Sequence, residues 1–231
     1  IVFCFHGLPP ILPNKGKVVV YLHNRNYLVF NSLPGFSWKT QIRLTFERLV
    51  GRIFRSRVSS YIVQSPTMKR ELLAWLKSTR CSQDWPDTHV LPFMDHIPLP
   101  TERVDSPLIC DFVYVADGVA HKNHRNLLRA WTLLADEGLR PTLALTLTER
   151  DGKLRAEVES VKLARNLSIV DFGNLPHAEV MALYKSSRAL IFPSTSESLG
   201  LPLIEATRAG LPILAGELDY VRDVCVPHET F

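Results

Sequence analysis

No apolar run in the 231 residues approaches the ~20 needed to span a bilayer, so the sequence offers no membrane-crossing segment. Cysteine is sparse. Cys4, Cys81, Cys110 and Cys225 are scattered with no CxxC pair, which predicts reduced thiols in a cytosolic protein rather than a disulfide framework. The phosphate-cradling patterns GxGxxG and GxxxxGK[ST] are both missing, which argues against a dinucleotide dehydrogenase and a P-loop NTPase. No Asp-x-Asp pair is present to hold a metal-bound diphosphate. No basic lead precedes the opening "IVFCF", which reads as the inside of a strand rather than a signal peptide. Both ends read as interrupted elements.

What is present is an ordinary core composition, 46% hydrophobic and 22% charged, enough for one large domain or two smaller ones. Charge is uneven. Residues 1–105 hold 14 Lys+Arg and 7 Asp+Glu, a net of +7; residues 106–231 hold 13 and 16, a net of −3, and the two sum to +4. A basic first half suits either an acidic neighbour, such as nucleic acid, a phosphorylated lipid or an anionic membrane face, or a plain solvated surface.

Short β-branched runs alternate with helical periods. Strands are predicted at 17–22, 60–64, 88–93, 110–115, 142–147, 168–172, 189–193 and 212–215. Helices are predicted at 37–54, 67–76, 122–136, 151–166, 177–187, 202–209 and 217–224. Apolar strands spaced by amphipathic helices imply parallel sheets covered on both faces. The aperiodic, Pro-rich "DHIPLPTERVDSP" (95–107) reads as a linker. This divides the chain into residues 1–100, too short for a complete doubly wound domain, and residues 101–231.

The segment "FPSTSESLGLPLIEATRAGLP" (192–212) concentrates the chemistry. A buried strand ends at "IFPS", and ligands in such sheets sit beyond the carboxyl ends of strands. Pro202 suits the first position of a helix and Gly210 the position past its end. The start of that helix is a ready anion site, and Gly200 lets backbone approach a phosphate closely. Glu197 and Glu205, eight positions apart, flank that anion site. Carboxylates there suit hydroxyl groups, a ribose diol or sugar alcohols, rather than the anion itself. The alternative is that Glu205 merely favours the helix's first turn and Glu197 is solvated.

This stretch, with its lead-in "VDFGNLPHAEVMALYKSSRALIFPS" and the following "GELDYVRDVC", resembles the retaining glycosyltransferases of GT-B fold, family 4. Those proteins place P-S near a Glu, then G-(F/L)-G-L-P and a second Glu eight positions after the first. Ser198 stands where the family usually has Gly. The likeness covers residues 108–226, and the first unit resembles the later part of the family's acceptor-side domain. The resemblance implies two Rossmann-like domains facing a cleft, the first incomplete, and transfer of a sugar from a nucleotide-sugar donor to a saccharide or lipid-linked acceptor. Neither cofactor nor metal is implied, and no nucleic-acid partner. Glu197 would hold the donor sugar, Glu205 the ribose. The amides of Ser198, Leu199, Gly200 and Leu201 would meet sugar and diphosphate, and backbone near Leu175 the base. Lys122 occupies the place of the family's phosphate-clamp Lys; Asp117 stands where the partner Arg would be, with Asn123 and Arg125 as substitutes. His23, ending the strand "VVVYLH", takes the place of a His facing the donor sugar, with Asn24 and Arg25 beside it.

Two further features carry open alternatives. His121 and His124, three apart, suit either metal ligation or a plain helix start, and no third ligand sits at a useful spacing. The helix at 37–54 aligns Ile42, Phe46, Leu49, Val50, Ile53 and Phe54, with Lys39, Arg43, Arg48, Arg52 and Arg55 around them. It either packs on its own sheet or lies on the inner face of an anionic membrane. A catalytically silent nucleotide-sugar-binding module, or a phosphorylase or epimerase on the same fold, stands as the alternative function.

Overall fold

A computed structural model describes residues 1–28, 36–78, 85–91 and 107–225. The chain forms two compact units, Ile1–Asp95 with Ser196–Leu199, and His96–Thr195 with Gly200–Phe231. Most of the expected linker lies outside the described residues.

The first unit carries four parallel strands in the order β1 (Val2–Cys4), β2 (Val18–Leu22), β3 (Ser60–Val63) and β4 (Asp87–Val90). The β-branched runs explain the pairing: Val18, Val20 and Leu22 point inward along β2, and Tyr61 and Val63 along β3. Helix α2 (Pro66–Ser78) closes one face. Its Met68, Leu72, Trp75 and Leu76 recur at helical spacing and join that core. Ser65 starts α2 by accepting from the Met68 amide at 3.3 Å, as an N-cap should.

Helix α1 (Trp38–Phe54) departs from expectation. Of the six residues aligned as its apolar face, only Val50 is buried; Ile42, Phe46, Leu49 and Ile53 are exposed. The helix packs instead through Leu44 and Val50. The reason is that α1 is apolar on two sides, and the core cluster beside the sheet draws its helical members from α2 rather than α1. Periodicity locates an apolar stripe but does not say which stripe a sheet will cover.

The second unit has five parallel strands: β5 (Cys110–Tyr114), β6 (Leu143–Leu145), β7 (Ile169–Asp171), β8 (Ser187–Phe192) and β9 (Ile213–Ala215), in the order β7-β6-β5-β8-β9. Helices α3 (His124–Asp136), α4 (Gly152–Arg165), α5 (His177–Lys185), α6 (Leu201–Arg208) and α7 (Asp219–Val224) alternate with them. From β5 the chain winds outward through β6 and β7, then returns to lay β8 on β5's other side. The reversal separates the loops leaving β5 and β8, which makes their carboxyl ends a switch point where ligands bind in open α/β sheets. The core is continuous: Val113, Tyr114, Leu143, Leu145, Leu190 and Phe192 are all buried. Cys4, Cys110 and Cys225 are free thiols; Cys81 lies outside the described residues.

Asp171, ending β7, organises the next loop. Its Oδ1 accepts from the amides of Leu147 (3.0 Å) and Gly173 (3.1 Å), and its Oδ2 from Arg155 Nε at 2.7 Å. Asp171→Ala strands two amides near the sheet edge. The expected loss is about 2–3 kcal/mol of unfolding free energy, read by urea denaturation; a change under ~0.5 kcal/mol, the range of a neutral surface substitution, would show that the loop holds itself.

Candidate functional site

The loop leaving β5 and the loop leaving β8 are fastened to each other. After β5 the chain makes a 3₁₀ turn, Ala120–Lys122, and enters α3 through Asn123 in the left-handed conformation (φ 63°). The helix expected to begin at 122 therefore begins at His124. Asn tolerates this conformation better than most residues. Its side-chain amide donates to the Pro193 carbonyl at 3.1 Å, and its Oδ1 accepts from Asn126 at 2.8 Å. The His121 carbonyl accepts from the Thr195 amide at 2.8 Å and from Ser194 Oγ at 3.2 Å. Tyr114 Oη donates to the Lys122 carbonyl at 2.7 Å, while Tyr220 Oη holds the Ser194 carbonyl at 2.6 Å. The backbone of Lys122 is thus pinned, and its side chain is half-buried at the rim of the turn.

Asp117 is exposed in the loop ahead of this turn. Arg125, offered as a substitute cation, pairs with Glu157 through Nε at 3.1 and 3.2 Å. It serves the α3–α4 surface. Gly118 is required by packing: a Cβ there would meet Asp151 Oδ1 at 2.6 Å. Burial works to raise the Asp151 carboxyl's pKa, but hydrogen bonds from Thr148 and from the Gly118 amide prevail and lower it.

Helix α6 begins at Leu201, one residue earlier than expected, so Pro202 occupies its second position. Gly200 precedes it with φ 80°, and no side chain caps this end among the described residues. A Cβ on Gly200 would lie 3.0 Å from Leu203 Cδ1, so any larger residue meets both a strained backbone and a crowded neighbour. At the other end Gly210 takes φ 65°, the Leu211 amide reaches the Ala206 carbonyl and the Gly210 amide that of Thr207. This is the Schellman closure, and it explains why the helix stops after eight residues.

Glu205 sits one turn into α6, half-buried and held from α5. Tyr184 Oη donates to its Oε2 at 3.2 Å, and His177 Nε2 lies 3.2 Å from its Oε1. Burial, and then the Glu205 charge, push the Tyr184 hydroxyl's pKa well above its ordinary value, so Tyr184 keeps its proton and donates. A carboxylate offers about four lone-pair directions. Two are used here, which leaves acceptor capacity for a ligand diol. Neither His177 nor Tyr184 was among the expected site residues. Their only sequence signal is seven-residue spacing, which puts both on one face of α5. Leu175, two residues before His177 in the same loop, is half-buried.

In the loop between, Glu197 and Ser198 are half-buried and Leu199 is buried. His23 follows β2 in the first unit. Its ring stacks near Phe5 (6.0 Å) and Tyr21 (6.3 Å), and its buried Nδ1 has no hydrogen-bond partner among the described residues. Asn24 caps the next turn through Asn26 N at 3.0 Å, and Arg25 Nε binds both oxygens of Glu71 at 2.9 and 3.0 Å. Asn24 is thus occupied by local structure and Arg25 by a residue of α2.

His124 is 4% exposed, lies 4.8 Å from the Tyr114 ring, and has no hydrogen-bond partner at either nitrogen among the described residues. Among those residues no three His, Cys, Asp or Glu gather as metal ligands.

These features define a class before a family. Two parallel α/β units, the second with its order reversed between β5 and β8, make a fold of the GT-B glycosyltransferase type. TarM of Staphylococcus aureus, solved with UDP, superposes with TM-score 0.63 at 13% identity over 88% of this chain and 37% of that one. HepE of Anabaena, solved with UDP and glucose, superposes with TM-score 0.58 at 19% identity over 89% and 54%. The family described as glycosyl transferases group 1 matches residues 110–230, and the chain belongs to it. It is 31% identical over 123 residues to the serotype-specific mannosyltransferase WbdA of Escherichia coli, 51% of this chain and 14% of that protein. It is 35% identical over 100 residues to the 2-deoxystreptamine glucosyltransferase of Streptomyces kanamyceticus, 42% and 25%. The chain thus spans a quarter or less of these two relatives' length.

Burial drives the His124 pKa down to about 4, against 6.5 ordinarily, with the Asp151 charge opposing. Between those values the unfolded chain binds the extra proton and the folded one does not. Stability is therefore expected to fall as pH drops from about 6.5 toward 4, by up to ~1.4 kcal/mol per pH unit from this residue. His124→Leu should flatten that part of the profile in denaturation experiments; an unchanged slope would place the proton elsewhere.

Proposed function

We propose that the protein is a retaining glycosyltransferase of family 4, using a nucleotide-sugar donor and the hydroxyl of a saccharide or lipid-linked acceptor, without a metal ion. The observation that carries this is Glu205, half-buried and steadied from α5, one turn beyond the uncapped start of α6. An anion at that helix start gains from the helix dipole, although Pro202 has no N–H and the Leu203 amide donates to the Gly200 carbonyl at 3.0 Å, and Lys122 supplies a point charge for the same diphosphate. Glu205 accepts from the ribose hydroxyls, Glu197 from the donor sugar, and backbone near Leu175 borders the base. The amides of Ser198 to Leu201 meet sugar and diphosphate. His23 and Asn123 complete the set, the latter by fixing the turn that carries Lys122. Support comes from relatives named as mannosyl- and glucosyltransferases and from similar folds solved with UDP.

In the reaction the bond from the anomeric carbon to the diphosphate oxygen breaks, and the acceptor oxygen bonds to that carbon on the same face. The departing diphosphate takes the acceptor's proton. No protein nucleophile is required; the protein orients the two substrates and stabilises charge on the leaving group. The second reading, a module that binds nucleotide sugar without turnover, is favoured by Asp117 at the clamp position and by Arg125 being paired with Glu157.

A thermal-shift panel of UDP-, GDP- and ADP-sugars identifies the donor. With it, Glu205→Ala is expected to weaken nucleotide binding by about 1.5–3 kcal/mol, roughly ten- to hundred-fold, by calorimetry. Unchanged affinity would remove Glu205 from the ribose role. Glu197→Ala should leave nucleotide affinity nearly intact while transfer is lost. Tight binding with no transfer by the unaltered protein would favour the silent module.

A further inference from the structure

We infer that the outer face of α1 is a docking surface for an anionic lipid bilayer. This stands apart from the glycosyl-transfer reading and uses none of its residues. Trp38, Ile42, Phe46, Leu49 and Ile53 recur at steps of four, four, three and four, so they fall on one stripe; buried Leu44 lies opposite it, and Val50, four residues after Phe46, is its buried edge. At 1.5 Å per residue the stripe is about 22 Å long. Every member is between 51% and 67% exposed. Five large apolar side chains in one contiguous exposed row mark an interaction surface, where scattered single ones would not.

Charge identifies the partner. Lys39 and Arg43 border the stripe on one side and Arg52 on the other, all exposed. Glu47 is the only acid in the helix, half-buried and 3.8 Å from Arg43. Arg48 turns inward, donating to the Asn26 carbonyl at 2.8 Å. An apolar row edged by cations and lacking exposed acid complements a negatively charged interface into which the row can sink. Trp38 at one end, with the Lys39 ammonium 5.7 Å from its ring centre, is the amphipathic pairing suited to headgroup depth. Lys and Arg stems can follow the row down while their charges stay at the phosphates. Among the described residues no helix is long and apolar enough to cross a membrane, so α1 lies in the plane of the surface. A protein at such a surface would meet a lipid-linked acceptor by diffusion in two dimensions.

The test is flotation of the purified chain with vesicles of phosphatidylcholine alone, and of phosphatidylcholine mixed with phosphatidylglycerol, at low and high salt. The expected result is flotation only with the anionic vesicles, weakened by salt, with a blue shift of tryptophan emission that Trp38→Phe diminishes. The triple variant Ile42→Ser, Phe46→Ser, Ile53→Ser should lose at least tenfold in partitioning while keeping its thermal midpoint. Lys39→Gln, Arg43→Gln and Arg52→Gln should each lose about fivefold, and they keep the test decisive if the serine variant misfolds. The proposal is overturned by no flotation with anionic vesicles, or by equal flotation of folded serine and glutamine variants. It is also overturned if light scattering shows a dimer that the serine variant dissolves and neither form floats, which would assign the stripe to a second copy of the chain.

Discussion

The side-by-side pairing of β5 and β8 is the constraint on which the candidate site depends. These strands are neighbours in the sheet and distant in sequence, because the chain builds β6 and β7 on one side before returning. Their loops must diverge, and the protein controls the divergence by tying the loops near their roots. The Asn123 amide and the His121 carbonyl, on one loop, bond to Pro193, Ser194 and Thr195 on the other. Beyond that knot Lys122 and the start of α6 have fixed anchor points. Precision of this kind matters for a binding site, since loop backbone held only by its own chain pays ordering entropy when a ligand arrives.

The second device is electrostatic. A short helix with Gly at its start has no side-chain cap among the described residues, and a carboxylate one turn along is held by His177 and Tyr184. Were Glu205 loose, the helix start would be its own best partner, because an acid in a first helical turn is favourable there. The clamp from α5 turns an acid that would satisfy its own helix into one available for hydroxyl groups. The raised pKa of Tyr184 belongs to the same arrangement: a buried phenol beside a carboxylate stays a donor.

Much of this was legible in the sequence, for physical reasons that differ by element. The parallel strands are continuous β-branched runs, and the ends of α6 are marked by Pro202 and Gly210, so its span is legible to within one residue. The Glu197 to Glu205 spacing pointed to the family, and the match over 110–230 agrees. Other features had no local signal. The break before α3 depends on Asn123 meeting a carbonyl seventy residues away, so a helical period ran straight through it. His177 and Tyr184 were missed because pairing between α5 and α6 is tertiary. Arg125 looked available for an anion until Glu157, on α4, claimed it. The stripe on α1 is legible, but burial falls on Leu44 and Val50, and the core cluster beside the sheet draws its helical members from α2.

The central claim is that the start of α6, the Lys122 turn and Glu205 form one nucleotide-diphosphate site. Amide-resolved NMR during titration with the nucleotide diphosphate of the donor tests it most directly. The expected result is that the largest shifts fall on Gly200, Leu201, Leu203, Lys122 and Asn123, with the His177 ring signals moving at the same ligand concentration. Saturable shifts confined to other parts of the second unit, with these residues still, would contradict it.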